Sequence, residues 1–203
     1  MTPEDKIKLI IIDFYGVMTL GSYRETCQWL AKKYHLPFRK LYDVVYHKYF
    51  SAAAVGKYTE RQSFELPIKE LGLKETWHGL RRRHLSFQKL NKPVFNLARK
   101  LQAEGYTILL LSKNTPPQFN YALRKMYTRR FFKNIVNTYD LGLPKASPRT
   151  IRWALNKFKL KPSQVIMVDD QDFNLPAAKR MGVRTIYYRG FKDFKTKLLR
   201  YLN

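Results

Sequence analysis

Four polar sites in this 203-residue chain each follow an apolar run or sit in a tight loop. They are Asp13 after Ile7–Ile12, Ser112-Lys113 after Thr107–Leu111, Lys145 in Gly142-Leu143-Pro144-Lys145, and Asp169-Asp170 with Asn174 after Val165–Val168. Brought together, the carboxylates form an oxygen-rich site suited to a hard cation such as Mg²⁺, with a hydroxyl and lysines suited to an anion beside it. Asp13 is then a candidate carboxylate nucleophile towards phosphorus or carbon. Lys145 would hold it ionised and neutralise charge on a transferred group. Each residue also has a plain structural use, as a helix cap, a turn residue or a surface charge. The chemistry requires that they meet, so the elements carrying them decide the matter.

The run before Asp13 is apolar without alternation, the pattern of a strand buried on both faces in the middle of a parallel sheet. A carboxylate at its C-terminal end lies where α/β sheets place their ligands. From Leu20 to Leu90 the periodicity is helical: a Ser22/Glu25 capping pair, a run opened by Pro37 and stopped by Gly56, a third opened by Thr59, and a fourth over Glu75–Phe87. Pro67 is expected to kink or shorten the third. From Pro93 helices and strands alternate, with strands at Thr107–Leu111, Ile135–Thr138, Val165–Val168 and Arg184–Tyr188 and a last helix over Phe191–Leu202. Such alternation implies right-handed crossovers and a parallel sheet covered on both faces. The fold class read from this is α/β, a doubly wound parallel sheet carrying an inserted helical unit. The core is predicted over 1–19 and 91–203 and the insertion over 20–90.

The longest apolar run is too short to span a bilayer, no N-terminal stretch has the layout of a secretory signal, and one cysteine excludes an internal disulfide; a cytoplasmic location is the expectation. Lys and Arg number 39 against 15 Asp and Glu, a net charge of +24 that attracts anionic partners, from phosphate esters to nucleic acid. That excess runs through the chain, 14 basic to 6 acidic residues over 20–90 and 23 to 6 over 91–203, so a generally basic surface accounts for it as well as a nucleic-acid contact does. The four histidines have no ligand-like spacing and read as structural or surface groups. Tyr42, Tyr46, Tyr49, Phe50 and Tyr58 are candidates either for helix packing or for a pocket wall.

In order, LIIIDFYGV, ILLLS, the lysine of GLPKASP and VIMVDDQDFN resemble the four motifs of the haloacid dehalogenase superfamily, the aspartate-nucleophile phosphatases and dehalogenases. The stretch between the first two, with GKYTERQSF before a Leu-Gly pair, is similar to that group's small α-helical cap. The resemblance implies a Rossmann-like core, Asp13 as nucleophile, and Mg²⁺ held by Asp13, the Tyr15 carbonyl and Asp170 with Asp169 beside it. It also implies Ser112 and Lys145 on the transferring group and Asn174 supporting the metal site. Lys113 stands where many relatives have asparagine and is a candidate contact for an anionic substrate.

The implied activity is Mg²⁺-dependent hydrolysis of a small phosphorylated substrate through an aspartyl-phosphate. Family phosphatases carry a second aspartate two residues after the nucleophile as general acid and base; here that place is Tyr15. With a pKa near 10 tyrosine is a poor substitute, and general acid–base help is worth roughly 10²–10⁴ in rate. Tyr15 also resembles the 2-haloacid dehalogenases, whose halide leaves without a proton. Against that alternative, Val17 replaces a threonine, the helix between Leu41 and Phe50 lacks the expected arginine, and dehalogenases have Ser and Asn in place of Asp169-Asp170. A third reading is a non-catalytic protein of this fold that binds nucleic acid through its basic surface.

Overall fold

The computed structural model describes residues 6–202. The first residues of the core predicted over 1–19, and residue 203, therefore lie in part outside those described. The order is β1 (Leu9–Asp13), β2 (Thr19–Leu20), α1 (Tyr23–Tyr34), α2 (Phe38–Tyr42), a π-helical stretch (Asp43–Phe50), α3 (Ser51–Ala53), α4 (Glu60–Glu70), α5 (Trp77–Phe87) and β3 (Lys89–Leu90). There follow α6 (Lys92–Ala103), β4 (Thr107–Ser112), α7 (Pro116–Lys125), β5 (Asn134–Asn137), α8 (Pro148–Phe158), β6 (Val165–Asp169), α9 (Pro176–Arg180), β7 (Arg184–Tyr187) and α10 (Phe191–Leu202).

Five strands form one parallel sheet in the order β5-β4-β1-β6-β7, with β1 paired to β4 on one side and β6 on the other. The unbroken apolar runs are divided by the pleat between two cores. Ile10, Ile12, Ile108, Leu110, Ile166 and Val168 pack with Val94, Phe119 and Phe194 from α6, α7 and α10. Leu9, Ile11, Leu109, Leu111, Val165 and Met167 pack with Ile151, Ala154 and Ala178 from α8 and α9. Full burial of one such side chain contributes about 1.5–3 kcal/mol, which is why these runs contain no polar residue before their ends. Connections from β1 and β6 leave in opposite directions across the sheet, so the crevice between their C-terminal ends is the switch point where such folds bind ligands.

The helices between β2 and β3 have their own core around Tyr23, Leu30, Leu41, Val45, Phe50, Phe64 and Leu80. Capping boxes at Ser22/Glu25 and Thr59/Gln62 start α1 and α4 as the spacing predicts. Of the kink or shortening expected at Pro67, the shortening does not occur: α4 continues past it to Glu70. One expectation is corrected. The helix after Pro37 is not regular: through Asp43–Phe50 it widens, and Ser51 N donates to Tyr46 O five residues back. This stretch buries Val45, Tyr46, Tyr49 and Phe50.

β2 and β3, which the residue pattern did not reveal, pair antiparallel at the junction of this insertion with the sheet, Thr19 opposite Leu90 and Leu20 opposite Lys89. Asn91 ties the same junction, donating to Val17 O at 2.8 Å and to Tyr188 Oη at 2.9 Å.

Candidate active site

Asp13 ends β1, Asp169 ends β6 and Ser112 ends β4, so three parallel strands deliver their last polar residues to one rim. Lys145 arrives from the loop before α8. Its ammonium, almost fully buried, is bonded to Asp13 Oδ1 and lies 2.7 Å from Asp169 Oδ2. One ligand atom each from Asp13, Asp169 and Asp170 lies within 4.8 Å of the others.

The acidic doublet divides its work. Asp169 Oδ1 accepts from Gln171 N at 2.9 Å and from Asn174 Nδ2 at 3.0 Å, and its other oxygen is the one paired with Lys145. Asp170 lies against the backbone of Gly16, and its buried Oδ1 has no hydrogen-bond partner. Ser112 Oγ is likewise buried without a partner among the described residues. Native chains seldom leave such atoms unsatisfied, and each one calls for a ligand or another explanation.

Electrostatics point the same way. Burial raises Asp13 well above the ordinary carboxyl range; Lys145 opposes this, while Asp169 and Asp170 reinforce it. Asp170 is also raised, first by burial and then by Asp169. Burial works against the charge of Lys145, yet Asp13 and Asp169 hold its pKa above the usual lysine value. Three ionised carboxylates around one bonded ammonium leave two negative charges in excess, which a divalent cation would balance. The donor set, all carboxylate oxygen, suits Mg²⁺.

Above this rim a cavity of about 120 Å³ is bordered by Asp13, Tyr15, Lys113, Asn114, Lys145, Asp170 and Gln171 on the sheet side and by Tyr23, Tyr42, Tyr46, Phe50 and His84 from the helices. A cavity of roughly 150 Å³ holds a benzene ring, so this one fits a small molecule. Of the aromatics named from sequence, Tyr42, Tyr46 and Phe50 line it; Tyr49 packs instead against Tyr58 and donates to Glu70.

His84 borders the cavity as a structural group, with Thr26 Oγ1 2.9 Å from Nδ1 and Gln88 Nε2 3.2 Å from Nε2. Burial lowers its pKa to about 3. Tyr15 Oη donates to the Gln118 carbonyl at 3.3 Å, and burial raises its pKa well above the usual phenol value. Arg39 is exposed and near Asp43, away from the cavity, whereas Arg24 borders it.

Three further contributors were missed from sequence. Gln171 Nε2 donates to Tyr46 Oη at 2.5 Å, joining the loop after β6 to the helices. Tyr23 Oη accepts from Gln118 Nε2 at 3.0 Å. Asn137 brackets the loop after β4, accepting from Asn114 N at 3.1 Å and donating to Asn114 O at 2.9 Å. The last had a signal, an asparagine closing an apolar strand; the other two depend on contacts between elements distant in sequence.

Residues 7–182 match the model of a hydrolase family, the haloacid dehalogenase-like hydrolases. The chain belongs to that family. This haloacid dehalogenase-like protein is similar to rat bifunctional epoxide hydrolase 2, 25% identical over 109 residues that make up 52% of this chain and 20% of that one. It is also similar to the pyrophosphatase PpaX of Bacillus velezensis, 28% identical over 92 residues, 45% of this chain and 43% of that one. The match thus spans less than half the length of these curated relatives. Among solved structures it resembles a haloacid dehalogenase family enzyme of Bacteroides thetaiotaomicron, with a TM-score of 0.77, 19% identity and coverage of 95% of this chain and 98% of that one. The L-2-haloacid dehalogenase of Xanthobacter autotrophicus aligns with a TM-score of 0.65, 15% identity and coverage of 96% and 83%. At these identities the solved structures establish the shared α/β fold. No helix among the described residues is long and apolar enough to cross a membrane.

Proposed function

We propose that this family member is an Mg²⁺-dependent phosphatase for a small phosphorylated substrate, its helical insertion serving as a cap over the reaction site. The observation that carries the reading is the convergence of Asp13, Asp169 and Asp170 on one point with Lys145, beside the unpartnered Ser112 Oγ and Asp170 Oδ1. The acidic set also speaks against the dehalogenase alternative, because two uncompensated carboxylates would repel a carboxylate substrate. Two solved structures of the Bacteroides thetaiotaomicron enzyme, an aspartate-to-alanine mutant and the wild type, are complexes with magnesium and inorganic phosphate.

Asp13 Oδ attacks phosphorus and the ester oxygen departs, leaving an aspartyl-phosphate that water hydrolyses. Lys145, fixed between Asp13 and Asp169, neutralises charge on the phosphoryl oxygens. Ser112 Oγ donates to one of them. Asp13, Asp170 and the Tyr15 carbonyl would hold Mg²⁺; Asp169, paired with Lys145 and accepting from Asn174, adds charge and keeps both in place. When bound, the cation supplies charge neutralisation to the phosphoryl group. Release of p-nitrophenol from p-nitrophenyl phosphate, and of phosphate from acetyl phosphate, tests this with and without Mg²⁺. Turnover that needs the metal and is lost in Asp13→Asn is expected; turnover indifferent to either overturns the proposal.

A further inference from the structure

In-line attack by Asp13 sends the leaving oxygen away from the sheet, into the cavity under the helices, and an alkoxide leaving there needs a proton. The tyrosines, the histidine and the arginine that border that space are unsuited to give it. Tyr15 Oη is committed to the Gln118 carbonyl, and burial raises its pKa. Tyr46 Oη receives the Gln171 amide, and its pKa is raised by burial as well. Tyr23 is engaged with Gln118 and raised too. Tyr42 is pushed up to about 12 by burial. His84 has both ring nitrogens engaged and stays unprotonated near neutrality. Arg24 does not release its proton in proteins.

Lys113 is different. It follows Ser112, so its backbone is fixed at the sheet rim, and its side chain borders the same cavity as Asp13. Its ammonium stands 5.0 Å over the Tyr46 ring and 5.9 Å over Phe50, with Ser51 Oγ, 3.5 Å away, as its one polar partner among the described residues. The cage comes from the π-helical stretch, where Tyr46 and Phe50 stand four residues apart on one face. Lys145 repels the ammonium while Asp13 and Asp169 attract it, and with burial the dominant effect its pKa falls to about 8.

We propose that Lys113 is the acid and base of this site, performing the proton transfers for which Tyr15 is unsuited. The proposal rests on the phosphatase reading above. As Asp13 Oδ bonds to phosphorus and the P–O bond to the substrate breaks, Lys113 Nζ gives its proton to the departing oxygen. The neutral amine then takes a proton from the water that attacks the aspartyl-phosphate. Phosphate leaves, Asp13 is again a carboxylate and Lys113 again an ammonium.

Two substrates of similar size separate this role from substrate binding: ethyl phosphate, whose alkoxide needs a proton, and acetyl phosphate, whose acetate does not. With Mg²⁺, Lys113→Met is expected to lower kcat/KM for ethyl phosphate by about 10²–10⁴ and that for acetyl phosphate by less than about threefold. Lys113→Arg, which keeps the charge but cannot release the proton, should match the methionine variant on ethyl phosphate. Given acetyl phosphate, Lys113→Met should accumulate phosphorylated protein visible by intact-mass spectrometry, because the second step lacks its base. Wild-type kcat/KM for ethyl phosphate should decline above about pH 8 as the lysine loses its proton.

Equal losses on both substrates, or full activity of Lys113→Arg on ethyl phosphate, overturn the proton-transfer role. Wild-type protein inert towards both substrates overturns the phosphatase reading itself and this inference with it.

Discussion

Gly16 has a φ of +92°, and a Cβ there would lie 2.1 Å from Asp170 Oδ2. The residue thus meets two demands, a left-handed turn and contact between its backbone and a carboxylate. Gly16→Ala is expected to displace Asp170 and abolish metal-dependent turnover, and to cost about 1–3 kcal/mol from backbone strain, read from urea denaturation and magnesium titration. Tyr15 predicts the opposite behaviour. Because its hydroxyl donates to the Gln118 carbonyl, Tyr15→Phe should under the proposed function leave kcat within about threefold while removing a hydrogen bond worth about 0.5–1.5 kcal/mol. A large fall in kcat would show that the hydroxyl takes part in the chemistry.

At the scale of elements, the helical insertion meets the sheet through a narrow junction. Gly21, at φ +82°, passes so close to the Phe87 carbonyl that a Cβ would lie 1.9 Å from its oxygen. The β2–β3 pair is therefore locked in register next to a backbone crossing that only glycine permits. Inside the insertion, α1 and α5 are joined by His84, which remains neutral with a pKa of about 3. Its unfolded value is near 6.5, so the unfolded chain binds the extra proton in the interval between. Stability contributed by neutral His84 is complete above that unfolded value and is lost as pH falls, by about 1.4 kcal/mol per unit. Denaturation between pH 6 and 4 should show this slope flattened in His84→Gln; an unchanged slope would remove His84 as its source.

For the molecule as a whole, under the proposed function the excess of buried carboxylate would couple stability to a divalent cation. Asp13 and Asp170 titrate above their unfolded values near 4, so the metal-free folded chain holds more protons than the unfolded one as pH rises from there. Its stability should fall through that window until both groups have ionised. Mg²⁺ competes with those protons. At about 100 times its dissociation constant it stabilises by about 2.7 kcal/mol, roughly 5–10 °C in Tm for a chain of this size. That gain should grow as pH rises from about 4 through the ionisation of both groups in a series of thermal melts, and a gain that does not change with pH would mean the cation binds elsewhere. The +24 charge acts at longer range. If it steers anionic substrates, kcat/KM for acetyl phosphate should fall severalfold between about 10 mM and 0.5 M salt while kcat barely moves.

The sequence by itself determined the layers, because unalternating runs such as Ile7–Ile12 are stable only when covered on both faces. It also determined which polar residues stand at strand ends, since a buried strand must stop where its first carboxylate appears. Parallel strands then oblige Asp13, Ser112 and Asp169 to meet. What only the tertiary structure decided lies in contacts between elements that no local pattern connects: the π-helical widening, the aromatic cage on Lys113, the short β2–β3 pair, and the different surroundings of Asp169 and Asp170. Adjacent identical carboxylates read alike in a sequence, and packing separates them by bonding the first to Lys145 and Asn174 and leaving the second an oxygen without a partner.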